Sequence, residues 1–390
     1  MQNHLIPQHF LVPYAYSVCF SEHVFNTNNP IFHEVTSALT TDQTALLFFI
    51  DSGVAQHHTD LTKKIKKYIS DQKNITLLTD PITLSGGENC KNDPQVLHTL
   101  YRYFLDLGVD RQCCVVAIGG GAILDLVGYA AATAHRGIRH IRMPSTVLAQ
   151  NDSGVGVKNS VNLFERKNFL GTFAPPDAVI CDFSLLDTLD ERDKRAGMAE
   201  AIKVSLIRDA AFFTWLEHHS DALVAFEATA VRESIIRSAQ IHAKQIATGG
   251  DPFEKGNARP LDFGHWLAHK LEVMSAYTVR HGEAVALGML LDSHYSFAIG
   301  ALPEADFIRI TSCIRRLGFP LWHAHLAHQD EAGKALVLSG LEEFREHLGG
   351  TLSITLLQSI GCGFEVNEID HQLMQQSLDW CERFALNETV

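Results

Sequence analysis

The sequence predicts an α/β protein: a parallel sheet covered by helices in the first half and an all-helical second half. Three observations predict it. Short apolar runs alternate with helix-period stretches up to about residue 185. Beyond that point charged segments with helical spacing take over, and 199–325 holds few strand signals. A chain of 390 residues is also too long for one ordinary core. The expected division is 1–185, an α/β domain, and 186–390, a helical domain.

The strand candidates come in order. ALLFFIDSG (45–53), ITLLTD (75–80), CCVVAIGGG (113–121), HIRMPSTVLAQ (140–150) and DAVICD (177–182) are apolar runs bounded by turn residues. AILDLVGYAAATAHRG (122–137) between them reads as a helix. Near-continuous apolar strands separated by helices fit a sheet buried on both faces.

Composition narrows the function. Apolar residues at 46% and charged residues at 20% describe a soluble globular chain. A net charge of -13 opposes general nucleic-acid binding but not a small anionic substrate, because local cations dominate within a Debye length. The eight cysteines contain no CxxC pair, which suits reduced thiols rather than a disulfide framework or a cysteine-based zinc site. The start MQNHLIPQHF lacks a signal-peptide pattern, no run is long enough to span a bilayer, and ALNETV carries no lipidation motif. The expectation is a cytoplasmic protein without a membrane partner.

Gly119, Gly120 and Gly121 end one strand and open a helix. Such a turn lets a backbone approach a diphosphate and aims free N–H groups at it, as in Rossmann-like domains. The spacing is not GxGxxG, so a plain tight turn is an equal reading. Asp51, at the end of another strand, can accept from a ribose. Glu88 and Lys91 lie in a loop after a third strand, where a solvated turn is the plainer reading.

A second constellation lies downstream. His265 and His269 are four apart in LDFGHWLAHKLE (261–272) and share a helix face; His281 opens HGEAVALGM. Glu200 sits on an apolar helix with Lys203 one turn later. Neutral imidazoles and a buried carboxylate suit a divalent metal. Taken singly, each residue also fits a core histidine or a helical ion pair; taken as a set they favour a site. Arg136, Lys158, Lys167 and Asn168, with Asp152 among them, fall in Gly-, Ser- and Asn-rich segments read as loops, and together suit a phosphate. Solvated surface charge is the alternative.

Six stretches in order, GGGAILDLVGYAAATAHRG, MPSTVLAQNDSGVGVK, RKNFLGTFAPP, GMAEAIK, LDFGHWLAHKLE and HGEAVALGM, resemble the 3-dehydroquinate synthase superfamily, the sugar phosphate cyclases. The resemblance runs from about residue 45 to the C-terminus. It implies metal ligands at Glu200, His265 and His281, usually for zinc, with cobalt as the alternative. NAD contacts would fall on Asp51, Glu88, Lys91, Gly119, Gly120, Gly121, Asp125, Ser145 and Thr146. Substrate contacts would fall on Arg136, Lys158, Asn168, Lys244 and Asp262, and catalytic roles on Lys203, Asp152 and His269. It further implies a homodimer in which Arg136 reaches the neighbouring subunit's site. The implied reaction is redox-neutral: transient oxidation by NAD+, loss of phosphate, return of the hydride, and an intramolecular aldol closure.

One departure bears on substrate. Dehydroquinate synthases usually read LNFGH where this chain reads LDFGH, and carry Arg where it has Ala258. Losing a cation and gaining Asp262 disfavours a substrate carboxylate. GDPFEKGNARPLDFGHWLAHKLE looks more like the cyclases acting on sedoheptulose 7-phosphate, which is therefore the expected substrate. The alternative is 3-dehydroquinate synthase proper; a metal-dependent polyol dehydrogenase or a non-catalytic homologue is the lesser one.

Overall fold

The computed structural model describes residues 5–39, 43–164, 166–256, 260–331, 333–347 and 350–386. The strands of the first half are β1 (Ser17–Ser21), β2 (Thr44–Asp51), β3 (Ile75–Leu77), β4 (Ile82–Leu84), β5 (Cys114–Gly119), β6 (Arg139–Pro144), β7 (Lys158–Leu163), β8 (Arg166–Phe173) and β9 (Ala178–Asp182). All but β7 and β8 form one parallel sheet, ordered β1-β9-β6-β5-β2-β3, with β4 also on β2. Side chains alternate across it. Leu46, Phe48, Ile50, Val116 and Ile118 pack on one face with Phe32, Ile65 and Tyr68. Leu47, Phe49, Val115 and Ala117 pack on the other with Leu100, Phe104, Leu124 and Val127. Period-2 burial on both faces explains why the strands read as unbroken apolar runs.

Two expectations need correction. The run 140–150 is not one strand: β6 stops at Pro144, and Ala149–Ser153 forms a π-helical turn. Ser145 N–H donates to the Gly119 carbonyl (2.9 Å) and Thr146 Oγ1 accepts from Ala149 N–H (3.1 Å), so the backbone turns instead of continuing the ladder. The segments around Lys158 and Asn168 are not loops but the antiparallel hairpin β7–β8, against which the helix Gly121–Thr133 packs. Edge strand β1 had no sequence signal.

The second half is built from the helices Glu191–Arg208, Ala228–Thr248, His265–Met274 and His281–Ala298 with their neighbours. Their core includes Ile202, Leu206, Phe213, Leu267, Leu271, Leu287 and Met289, and it reaches Val147, Phe183 and Leu186 of the first half. It also carries an antiparallel hairpin that the helical spacing did not signal, β10 (Ile354–Ser359) and β11 (Cys362–Val366). No helix among the described residues is long and apolar enough to cross a membrane.

The sheet order reverses between β2 and β5. From β2 the chain moves outward to β3 and β4, then crosses to β5 on β2's other side. Crevices open at the carboxyl ends of strands at such a reversal. Ile50 pairs with Ile118, so Asp51 and Gly119 emerge side by side there.

Candidate active site

The helix Glu191–Arg208 starts at Asp190, whose side chain caps it by accepting from Asp193 N–H (2.8 Å). It carries Glu200 and Lys203 into the interior, 0% and 2% exposed, in direct ion-pair contact. His265 and His281 are each the first residue of their own helix. Their ring nitrogens and a Glu200 oxygen all lie within 4.8 Å of one another. His265 Nδ1 lies 3.1 Å from the Phe263 carbonyl, and His281 Nδ1 lies 3.1 Å from Glu272 Oε2. With Nδ1–H donating in each ring, both Nε2 atoms keep a lone pair for a metal. Glu200 Oε1, fully buried, has no hydrogen-bond partner and lies 3.7 Å from His281 Nε2. A carboxylate and two such imidazoles fit a divalent cation of the zinc type.

The two rings differ electrostatically: burial opposes charge on His281, but Glu272 outweighs it and raises its pKa. Burial, then Lys203, pushes the His265 pKa well below its usual value, which keeps the ring neutral. Burial also opposes charge on Lys203, but Asp152 and Glu200 outweigh it and lift its pKa. The Glu200 pKa is raised by burial despite Lys203. His269 stands beside His265 and His281, and burial pushes it down to about 3, so its ring is a neutral hydrogen-bonding group.

Asp152 lies in the π-helical turn after β6, 3.7 Å from Lys203 Nζ and 2.9 Å from His242 Nδ1. Burial raises its pKa, yet Lys203 and His242 overcome this and hold it well below the carboxylate range. Asn151 Nδ2 donates to the Gly197 carbonyl (2.7 Å), which ties this turn to the Glu200 helix. Arg142, fully buried on β6, donates to the carbonyls of Gly154, Gly156 and Lys158 and to Asn159 Oδ1. It pins the loop between Asp152 and Lys158. Lys158 Nζ meets Glu254 Oε2 at 2.6 Å and feels Asp262, while Lys167 Nζ meets Glu272 Oε1 at 2.8 Å.

On the sheet side, Gly119 ends β5, Gly120 caps the next helix and Gly121 starts it. Asp51 caps the short helix Ser52–His57, accepting from Gly53 N–H (2.8 Å). A Cβ on Gly86 would lie 2.2 Å from Asp51 Oδ2, so only glycine lets this loop close over the carboxylate. Thr146 Cγ2 borders Gly120, and Ser145 is buried below. Lys91, 4% exposed, is a hub: its Nζ reaches Asp125 Oδ2 (2.8 Å), Ser160 Oγ (3.1 Å) and Asn168 Oδ1 (2.6 Å), with Glu88 at 3.5 Å. Burial opposes its charge, but Asp125 and Glu88 raise its pKa.

Two expected site residues are not brought together with the rest. Arg136 is exposed at the far end of the Gly121–Thr133 helix, about 20 Å from the glycine turn at 1.5 Å per residue. Lys244 is exposed on Ala228–Thr248, two residues from His242 and so on another face. Ala258 lies outside the described residues. Three residues were missed. His242 sits in an ordinary helical stretch with no signal of its own. Arg142 is a cation in an apolar strand, a readable anomaly. Glu272 is seven residues after His265, the same-face spacing that would have marked it.

With the geometry in hand, comparison is informative. The N-terminal family model of 3-dehydroquinate synthase matches residues 81–196 and the C-terminal model 197–337. The 3-dehydroquinate synthase of Nitrosococcus oceani is 38% identical over 76% of this chain and 81% of its own length. That of Acinetobacter baumannii is 36% identical over 76% and 80%. The chain belongs to the 3-dehydroquinate synthase family. Among solved structures, the 2-epi-5-epi-valiolone synthase of Streptomyces hygroscopicus, with NAD+ and Zn2+ bound, superposes with a TM-score of 0.85 at 26% identity, covering 97% of this chain and 100% of that one. A 2-deoxy-scyllo-inosose synthase complexed with carbaglucose-6-phosphate, NAD+ and Co2+ shares the fold, with a TM-score of 0.75 at 24% identity over 93% and 95%. The family's two-part architecture, a parallel-sheet half and a helical half, is the one observed here.

Proposed function

We propose that this chain is an NAD- and divalent-metal-dependent cyclase that eliminates phosphate from a phosphorylated sugar and closes a carbocycle. One observation carries the reading: the Glu200–His265–His281 triangle is joined through Lys203 and Asp152 to a turn that abuts the glycine turn. A Cβ on Gly121 would lie 2.8 Å from Ser153 Oγ, so the nucleotide side and the metal side share one wall. When bound, NAD+ would supply reversible oxidation of a hydroxyl carbon and a zinc-type cation would supply Lewis acidity toward its oxygen. Glu200, His265 and His281 would hold the metal; Asp51, Glu88, Lys91, Gly119–Gly121, Asp125, Ser145 and Thr146 would hold the dinucleotide. Lys203 stays protonated and presents a fixed positive charge to a developing oxyanion. Asp152 stays ionised and orients Lys203 and His242. Neutral His269, beside Lys167, offers a hydrogen bond to phosphate, and Lys158 and Asn168 would add substrate contacts. We place the boundary between the halves near residue 185.

Two readings of the substrate compete. The curated relatives are named 3-dehydroquinate synthase, and likeness to them over 76% of this chain supports that activity better than the sedoheptulose 7-phosphate first expected. A specific observation favours the second reading: Asp262, where those enzymes usually have Asn, adds negative charge beside Lys158 and Lys203. That charge would repel a substrate carboxylate. Holoenzyme with NAD+ and zinc should release phosphate without accumulating NADH. Faster release from the acidic dehydroquinate precursor establishes the first reading, and faster release from sedoheptulose 7-phosphate the second. NADH accumulation without phosphate release would overturn the cyclase and leave a polyol dehydrogenase.

We also read the protein as a cytoplasmic homodimer. All eight cysteines are free, as in a reducing compartment. Arg136 has no role in its own site, and Leu5, Ile6, Phe10 and Leu11, 77–97% exposed, form an apolar arm that a second copy would cover. Light scattering that returned a monomer at micromolar concentration would refute the dimer.

A further inference from the structure

Asp292 is a buried carboxylate to which the chemistry above gives no part. It lies on the His281–Ala298 helix, 0% exposed, among Leu290, Leu291 and the aliphatic core. An isolated buried carboxylate is costly unless its hydrogen bonds are needed. It accepts two: Trp266 Nε1 donates to Oδ1 at 2.9 Å and Gly264 N–H donates to Oδ2 at 3.1 Å. Burial pushes its pKa up to about 7, with those two bonds as the forces holding it down.

The two donors bracket His265. The helix carrying that ligand starts at Gly264, in the left-handed region at φ +77°, and is seated directly on the backbone of the His281 helix. A Cβ on Gly288 would lie 2.0 Å from the Gly264 carbonyl oxygen, and one on Gly264 would lie 2.7 Å from Met289 N. Glycine at both positions is what brings the turn within reach of Asp292. Among the described residues, the hydrogen bond of the His265 ring lies within this turn, Nδ1 to the Phe263 carbonyl, and the rings of His269 and His281 pack against it. Orientation of His265 Nε2 toward Glu200 and His281 is therefore inherited from residues 263–266, of which Asp292 grips two.

We propose that Asp292 is a positioning residue for the metal centre: by holding Gly264 N–H and the Trp266 indole it fixes the turn that aims His265, and so sets how tightly a divalent cation is retained. It touches neither metal nor substrate. The inference rests on the metal-site reading above.

The test uses zinc-loaded full-length protein and competition with a chromogenic chelator. Asp292→Asn keeps the shape but turns an N–H toward one of the two donors. Trp266→Phe keeps the ring and removes one donor. Partners that orient metal ligands typically contribute 10–100-fold in affinity, so about tenfold weaker zinc retention is expected for Asp292→Asn and a smaller loss for Trp266→Phe. NAD+ affinity and the melting temperature of the metal-free protein should change little. Lowered metal-free melting with unchanged zinc retention would make Asp292 merely structural and overturn the proposal. If Asp292→Asn does not fold, Trp266→Phe decides: unchanged zinc retention overturns it. Failure of the wild-type chain to bind zinc would instead overturn the metal site itself, and this inference with it.

Discussion

The two walls of the crevice are built from different materials. The sheet wall is mostly backbone: a strand end, three glycines and a helix start, with Lys91 as the cation balanced by Asp125 and Glu88. The helical wall is mostly ionisable side chains: buried Glu200, Lys203, His265 and Glu272 with half-buried His281, linked by the Lys203–Glu200 and His281–Glu272 ion pairs. Exposed N–H groups and small residues accept a large ligand by shape and dipole, with little penalty when it is absent. Clustered charges tolerate burial only as a complete set, because removing one strands its partners. The sheet wall should therefore degrade gradually under substitution and the helical wall abruptly.

The largest expected effect breaks the helical wall at its centre. Glu200→Ala should abolish turnover, at least about a thousandfold, because Lewis-acid stabilisation of this kind contributes several kcal/mol. Bound zinc by elemental analysis should fall with it, while NAD+ titration stays near wild type. Joint loss of NAD+ binding would show that the walls are not separable. A second change tests whether the set is self-compensating. Lys203→Met leaves Asp152 and Glu200 facing each other without a cation, a loss of about 3–5 kcal/mol for a buried pair deprived of one partner. The sign with pH follows. In the wild type Lys203 and His242 hold Asp152 low despite burial, so its stabilisation is present above the unfolded pKa and fades as pH falls. Without Lys203 the Glu200 pKa, already raised by burial, climbs further, and Asp152 loses the larger of the two charges that hold it down. The variant should then melt higher at pH 5 than at pH 8, and a flat profile would contradict the compensation. The smallest effect belongs to the sheet wall. Gly121→Ala places a Cβ 2.8 Å from Ser153 Oγ, which a hydroxyl rotation or small shift can relieve. It should raise the KM for NAD+ a few-fold and leave zinc content unchanged; a collapse in zinc would show that the shared wall transmits strain.

Much of this was legible beforehand. The strands at 45–53, 113–121 and 177–182 announced themselves because burial on both faces leaves no polar positions to interrupt them, while 75–80 holds only the short edge strand β3, with Thr76 exposed. Glu200 and Lys203 were readable because a helix puts residues one turn apart on one face. His242 was not, since nothing local distinguishes a histidine that meets Asp152 across 90 residues from one in solvent. His265 and His269 looked like a chelating pair by spacing, but the structure groups His265 with His281 and Glu200, as the family resemblance implied.

The sequence by itself determined the α/β class, the glycine turn and the chemical inventory of the site, because these follow from periodicity and residue type within short windows. Only the tertiary structure decided which cations face which acids. It paired Lys91 with Asp125, Lys167 with Glu272 and Asp152 with His242, and it left Arg136 and Lys244 outside the centre. The reason is physical: hydrogen bonding and hydrophobic burial act locally enough to leave a pattern in the chain. A Coulombic partner is chosen by where two separate elements cross, and at Gly264, Gly288 and Asp292 that crossing depends on atoms far apart in sequence.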